Sequence, residues 1–229
     1  MRLAVLTSPE AGARAADGAV LAVPVGSTEQ HGPHLPLGTD TGVALELCRR
    51  LAAARPDVVV GPPIAYGASG EHEGFPGTVS IGQEVLELLV VELCRSATAT
   101  FPAVVIVSAH GGNCEALGRA VRRLEGEGRR VLMWSATWDG DTHAGRSETA
   151  LQLALAPELV RLERAEAGDC RPIGALMPTL RAGGVRAVST NGVLGDPAGA
   201  TAEEGEDLLG AMTSDLVERC SVWLGGPRP

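Results

Sequence analysis

Short continuous apolar runs alternate along this chain with longer stretches in which apolar residues recur every three or four positions. Four runs read as strands: "AVLAVPVG" (19–26), "DVVVGPPI" (57–64), "AVVIVSAH" (103–110) and "RVLMWSAT" (130–137). None alternates apolar with polar, so each predicts a strand covered on both faces, as in a parallel sheet between helical layers. Helical spacing fills the gaps, in "DTGVALELCRRLAAA" (40–54), "GQEVLELLVVELCRSATAT" (82–100) and "NCEALGRAVRRLEGEG" (113–128). The third of these stops at Gly126 and Gly128, residues suited to a helix end. "ETALQLAL" (148–155) and the run 201–224 predict two further helices. Strand–helix alternation of this kind predicts an α/β fold, a three-layer sandwich whose mostly parallel sheet is flanked by helices. The Gly- and Pro-rich segment 165–200 keeps its apolar residues and predicts ordered loop with short strands. No repeat and no long linker interrupts the pattern, so one domain is expected over 1–229.

Composition narrows the chemistry. Aromatic residues make up only 3% of the 229, so the core must be built mainly from Ala, Val and Leu. All 19 basic residues are Arg, which excludes a Schiff-base lysine and lysine-bound pyridoxal phosphate. A net charge of −9 without a basic tail argues against a nucleic-acid partner. No window approaches the ~18 apolar residues of a membrane span, and the first residues carry no convincing signal-peptide pattern. Five cysteines (48, 94, 114, 170, 220) form no CxxC pair; buried, reduced thiols in a cytoplasmic protein are expected.

The chemistry gathers where strands end. "GSTEQHGPHLPLGTDT" places Glu29, His31, His34 and Asp40 directly after the first strand. His110 closes the third strand, and "WDGDTHAGRSET" brings Asp139, Asp141, His143 and Glu148 after the fourth. Open α/β sheets build their sites at the carboxyl ends of strands, so these residues are expected at one edge. Glu29 and His31, two apart on extended backbone, turn to the same side. Asp40 opens the next helix, where a carboxylate can face two cations while capping the helix. Mixed imidazole and carboxylate donors suit Zn²⁺, Mn²⁺ or Fe²⁺, and two such ions side by side activate a water and polarise a carbonyl oxygen. Singly, Glu29 reads as well as a surface acid and His31 as a loop histidine. Together with Asp40 and His110 they read as a metal site. His34, between two prolines, is expected to be structural or to support a metal ligand without binding the metal itself. His72 either lines the pocket or holds a loop, Glu71 and Glu73 are expected to be solvated, and Asp139 and Asp141 either orient His143 or cap a helix.

"GSTEQHGPHLPLGTD", "FPGTVSIG", "AHGGN" and "HAGRSET" resemble the signature stretches of the creatininase family of metal-dependent amidohydrolases. The resemblance runs from about Ala19 to the last helix, and E-Q-H-G-x-H-L-P-x-x-x-D is a highly specific pattern. It implies a creatininase-like fold, a homo-oligomer that is often a hexamer, and hydrolysis of C–N bonds at a dinuclear centre, with two divalent ions per subunit. Carried over, it makes Glu29 and His31 ligands to different metals, Asp40 the bridge, His110 a ligand beside Glu29, and His143 the proton shuttle. Creatinine-hydrolysing members carry H-Y-E-N after the third strand, its Glu a metal ligand, where this chain reads "HGGN" from His110 to Asn113. Glu148 is then the candidate for the missing ligand, and creatinine is disfavoured as substrate. "IAYGASGEHEGFPGTVSIG", "LMPTLRAGGVRAVSTNGVLGDPAGATAEEG" and "GRSETALQLALAP" are similar to the family's mycofactocin-system peptidase branch. That branch implies, as substrate, a modified precursor peptide that loses its C-terminal dipeptide core during redox-cofactor biosynthesis. The alternatives are a creatinine amidohydrolase, a formamide deformylase, or a non-catalytic metal-binding subunit; the last would have no need of His143.

Overall fold

The computed structural model describes residues 1–138 and 140–225. Its elements follow the order α1 (Ser8–Ala16), β1 (Val20–Val25), α2 (Thr39–Ala54), β2 (Val58–Val60), α3 (Gly82–Ala97), β3 (Val104–Ser108), α4 (Cys114–Gly126), β4 (Val131–Ser135), α5 (Arg146–Leu155), α6 (Ile173–Gly183) and α7 (Ala202–Gly225). The four strands form one sheet in the order β2-β1-β3-β4, and every pairing is parallel. Val20, Ala22, Val105, Val107 and Trp134 face one side and pack with Leu47 and Leu51 of α2, Leu151 of α5 and Leu209 and Leu216 of α7. Leu21, Val23, Val104 and Ile106 face the other and meet Leu86 and Val90 of α3 and Leu117 and Leu124 of α4. Both sheet faces are therefore dry, which is why the strand runs lack polar alternation. This is the expected three-layer α/β architecture.

Differences from the sequence expectation are local. β2 keeps only three residues of the run 57–64, because Pro62 and Pro63 have no N–H for a ladder. The segment 165–200 holds a helix, α6, instead of short strands; Leu194 contributes only an isolated bridge to His143. Pro178 lies inside α6 and would ordinarily argue against it. The helix stands because Leu176 and Leu180 pack with Val185, Leu194 and Phe75 in a small separate cluster. α1 escaped the periodicity argument because none of its residues is buried, yet its start is signalled by Pro9 in its first turn and by the Thr7 N–H donating to the Glu10 carboxylate at 2.7 Å.

Candidate metal centre

Parallel strands point their carboxyl ends to one edge, and that edge collects the chemistry. Glu29 and His31 leave β1, His72 follows β2 on a short turn, His110 leaves β3, and His143 leaves β4. Asp40 and Glu148 come from the first turns of α2 and α5. All seven side chains are buried. The structure thus brings together the six residues expected as metal ligands or proton shuttle, and of the two readings left open for His72 it shows the one in which this side chain lines the pocket.

Asp40 occupies the centre. Its Oδ1 lies 3.1 Å from His31 Nε2, its Oδ2 lies 3.3 Å from His110 Nδ1, and the Ser27 hydroxyl donates to the same Oδ2. Glu29 places Oε2 3.2 Å from His110 Nε2 and Oε1 3.3 Å from His72 Nε2. Glu148 Oε2 is 3.8 Å from His31 Nε2 and accepts the Ala144 N–H at 2.6 Å. Ala144 takes φ 52°, left-handed backbone rare for a residue with a side chain, at the turn that aims His143 and Glu148 inward.

Burial pushes the His31 imidazole toward neutrality, but Asp40 and Glu148 outweigh it and hold it near 10. His110 is likewise raised well above the usual range, burial being overcome by Glu29 and Asp40. Burial and Asp40 both act to raise Glu29, yet His110 and His72 bring it down to about 2. Burial, with His31 and His72, keeps His143 well below the usual imidazole range. Glu148 rises to about 7, chiefly through burial. Positive and negative groups are thus interleaved in one buried cluster.

These donors fit a pair of divalent cations. Neither oxygen of the fully buried Glu29 receives an aligned hydrogen bond, a costly state for a carboxylate that a cation would relieve. The Nδ1–H of His31 donates to the Glu29 carbonyl at 3.1 Å, so that Nε2, beside Asp40, is the nitrogen that would give up its proton to take a cation. One ion could be held by Glu29, Asp40 and His110, the other by His31, Asp40 and Glu148; a third convergent set is Glu29, His31 and His143. Nitrogen and oxygen donors in these numbers suit Zn²⁺, Mn²⁺ or Fe²⁺.

The remaining candidates separate cleanly. His34 Nε2 pairs with Thr149 Oγ1 at 2.9 Å, outside the cluster, the structural place expected for it. Asp141 accepts the N–H groups of Arg146 and Ser147 and so caps α5. Asp139 lies outside the described residues. Glu73 is exposed, but Glu71 is only partly so and stands 3.5 Å from His110 Nε2, closer to the chemistry than a solvated acid. Two features were missed in the sequence. Gln30, buried between Glu29 and His31, brings its amide nitrogen within 2.8 Å of His72 Nδ1 and 3.0 Å of His143 Nε2, and its place inside the motif was the available signal. α6 walls the cleft with Ile173, Met177, Leu180 and Arg181. Nothing local marks that wall. The cleft above the cluster has a volume of about 1160 Å³.

Comparison with known proteins agrees with this geometry. The sequence profile of the creatininase family, described as creatinine amidohydrolase, matches residues 4–220. The mycofactocin precursor peptide peptidase of Mycobacterium ulcerans is 50% identical over 215 residues, covering 90% of this chain and 86% of that protein. A crystal structure of creatinine amidohydrolase superposes with a TM-score of 0.82 at 27% identity, over 99% of this chain and 98% of the other. A mutant creatininase of zinc–zinc type gives 0.79 at 27% identity, over 95% and 96%. With a profile match across almost its whole length and an α/β sheet superposable on that of solved members, this chain belongs to the creatininase family of hydrolases.

Proposed function

We propose that this hydrolase is a dinuclear metallopeptidase that releases the modified C-terminal dipeptide core from a mycofactocin precursor peptide, as a single domain over residues 1–229. The observation that carries the chemistry is Asp40, buried, with one oxygen turned to each of two imidazoles from different strands. The substrate rests on the 50% identity to a relative of that name. Glu29, Asp40 and His110 would hold one ion and His31, Asp40 and Glu148 the other, with Zn²⁺ or Fe²⁺ favoured and Mn²⁺ accepted. When bound, such ions supply Lewis acidity toward a carbonyl oxygen and toward water. His143 would take a proton from the attacking water at Nδ1 and pass it to the leaving amine, starting as a neutral base because burial disfavours its charged form. Its ring lies between those of His31 and His72, with centroids 4.5 and 4.4 Å away, so its orientation is fixed. The apolar side chains of α6 exclude water over the scissile bond and offer a wall for an apolar residue of the peptide.

Two accompanying readings have their own support. Exposed Val85, Leu88 and Leu89, three and four positions apart on α3, form an apolar strip suited to a homo-oligomer, up to a hexamer. Three buried free thiols accord with a reducing, cytoplasmic setting. The test is mass spectrometry of modified and unmodified precursor peptide after incubation with enzyme loaded in turn with Zn²⁺, Fe²⁺ and Mn²⁺, beside His143→Ala. Cleavage ahead of the last two residues, abolished by chelator and by the substitution, is expected. Hydrolysis of creatinine or a formamide with the peptide left intact would overturn the substrate.

A further inference from the structure

The side chain of Gln30 sits where three segments meet. Its Oε1 accepts the Gly32 N–H at 2.8 Å. Its Nε2 lies 2.8 Å from His72 Nδ1, 3.0 Å from His143 Nε2 and 3.0 Å from the Gly192 carbonyl. The amide orientation follows from two backbone groups whose roles are fixed. An N–H can only donate and a carbonyl can only accept, so a flipped amide would set like against like at both Gly32 and Gly192. Gly192, at φ 82°, makes the approach possible: a side chain there would collide with the Gln30 amide.

The donor count then closes. His143 Nε2 also lies 2.9 Å from the backbone carbonyl of Gln30, which can only accept, so His143 carries its proton on Nε2. A protonated Nε2 cannot accept from the Gln30 amide. The two hydrogens of that amide therefore go to the Gly192 carbonyl and to His72 Nδ1. His72, accepting at Nδ1, keeps its proton on Nε2, which faces Glu29 Oε1 at 3.3 Å. His143 is left with a bare Nδ1, 3.9 Å from both Glu29 Oε1 and Glu148 Oε2.

We infer that Gln30 is a positioning residue: through its amide and its own carbonyl it holds His72 and His143 in their Nε2–H tautomers, so that His143 presents a bare Nδ1 to the reacting centre and His72 presents a donor to Glu29. The 189–194 loop belongs to this device. Leu194 pairs with His143 through both backbone groups, its N–H donating to the His143 carbonyl at 2.8 Å. The loop and the ring are thereby locked to the same backbone. The consequence for catalysis rests on the role given above to His143; the tautomers do not.

The test is proton–nitrogen correlation spectroscopy of the zinc-loaded protein with isotope-labelled histidine, the two rings assigned by loss of signal in His72→Gln and His143→Gln. In the unaltered protein both rings should show a protonated Nε2 and a bare Nδ1. Gln30→Met keeps the volume and removes the amide, and should leave His72 a mixture of tautomers. Gln30→Glu replaces the donor by an acceptor and should move the His72 proton to Nδ1. Peptide cleavage should lose roughly 10–100-fold in kcat with KM changed less than about twofold, the pattern of a group that orients a ligand or base without binding substrate. A wild-type spectrum with a protonated Nδ1 on either ring, or a His72 spectrum unchanged in both Gln30 variants, would overturn the inference. Expected tautomers in an enzyme that cleaves no peptide would uphold it and overturn the substrate assignment instead.

Discussion

Asp40 ties the site together because its two oxygens serve different imidazoles, so its removal should not act on half the cluster. Asp40→Asn is expected to reduce bound metal from about two ions per subunit to near none by elemental analysis, whereas Glu148→Gln should cost only one. Equal loss in the two variants would contradict the shared carboxylate. Gly112 acts by lacking a side chain. A Cβ there would strike the His110 ring and the Ala68 carbonyl. Backbone cannot yield cheaply, so Gly112→Ala should displace His110 and selectively empty the site it shares with Glu29, visible as one ion lost with the far-ultraviolet circular dichroism unchanged.

Each helix carries its own consequence. Cys48 of α2, Cys94 of α3 and Cys220 of α7 are buried, and burial pushes the Cys94 thiol up to about 12 and that of Cys220 to about 11. Cys114 and Cys170 are exposed. A thiol reagent at pH 8 should therefore titrate two groups in the native protein and all five after denaturation. α6 depends on Leu176, 1% exposed, as its anchor. Leu176→Ala should cost about 2–4 kcal/mol, through lost burial and the cavity left behind. Because the helix walls the cleft, hydrogen exchange should accelerate over 173–183 before the sheet opens, and KM for the peptide should rise.

For the molecule as a whole, the centre and the fold are linked. Glu29, Asp40 and Glu148 face His31 and His110 in one buried cluster, and cations that bind there only in the folded chain would stabilise it. Metal at 100 times its Kd should add about 2.7 kcal/mol, so chelation should lower Tm by roughly 5–10 °C. Before the ions bind, His31 and His110 hold protons above neutral pH, raised by the carboxylates beside them despite burial. A cation must displace those protons. Metal affinity is then expected to weaken as the pH falls, and calorimetry in buffers of different ionisation enthalpy should register proton release on binding.

The sequence alone determined the four strands, the helices that follow them and the last helix, though not α1 or α6, and that the sheet is parallel, because runs such as "VVIVS" are apolar at every position and only a sheet covered on both faces buries them. It also determined that Glu29, His31, Asp40, His110, His143 and Glu148 share an edge, since parallel strands deliver their ends to one side. α6 was beyond it. Pro178 breaks the local helix signal, and the contacts of Leu176 with Val185 and Leu194 that override it are made only across the fold. Likewise, nothing in a list of residues says that Glu71 reaches His110, or that the Gln30 amide points at two histidines from distant turns. Local pattern records what a residue needs, water or cover. Which particular atoms supply it is decided when separate segments are brought within hydrogen-bond reach, and that only the tertiary structure does.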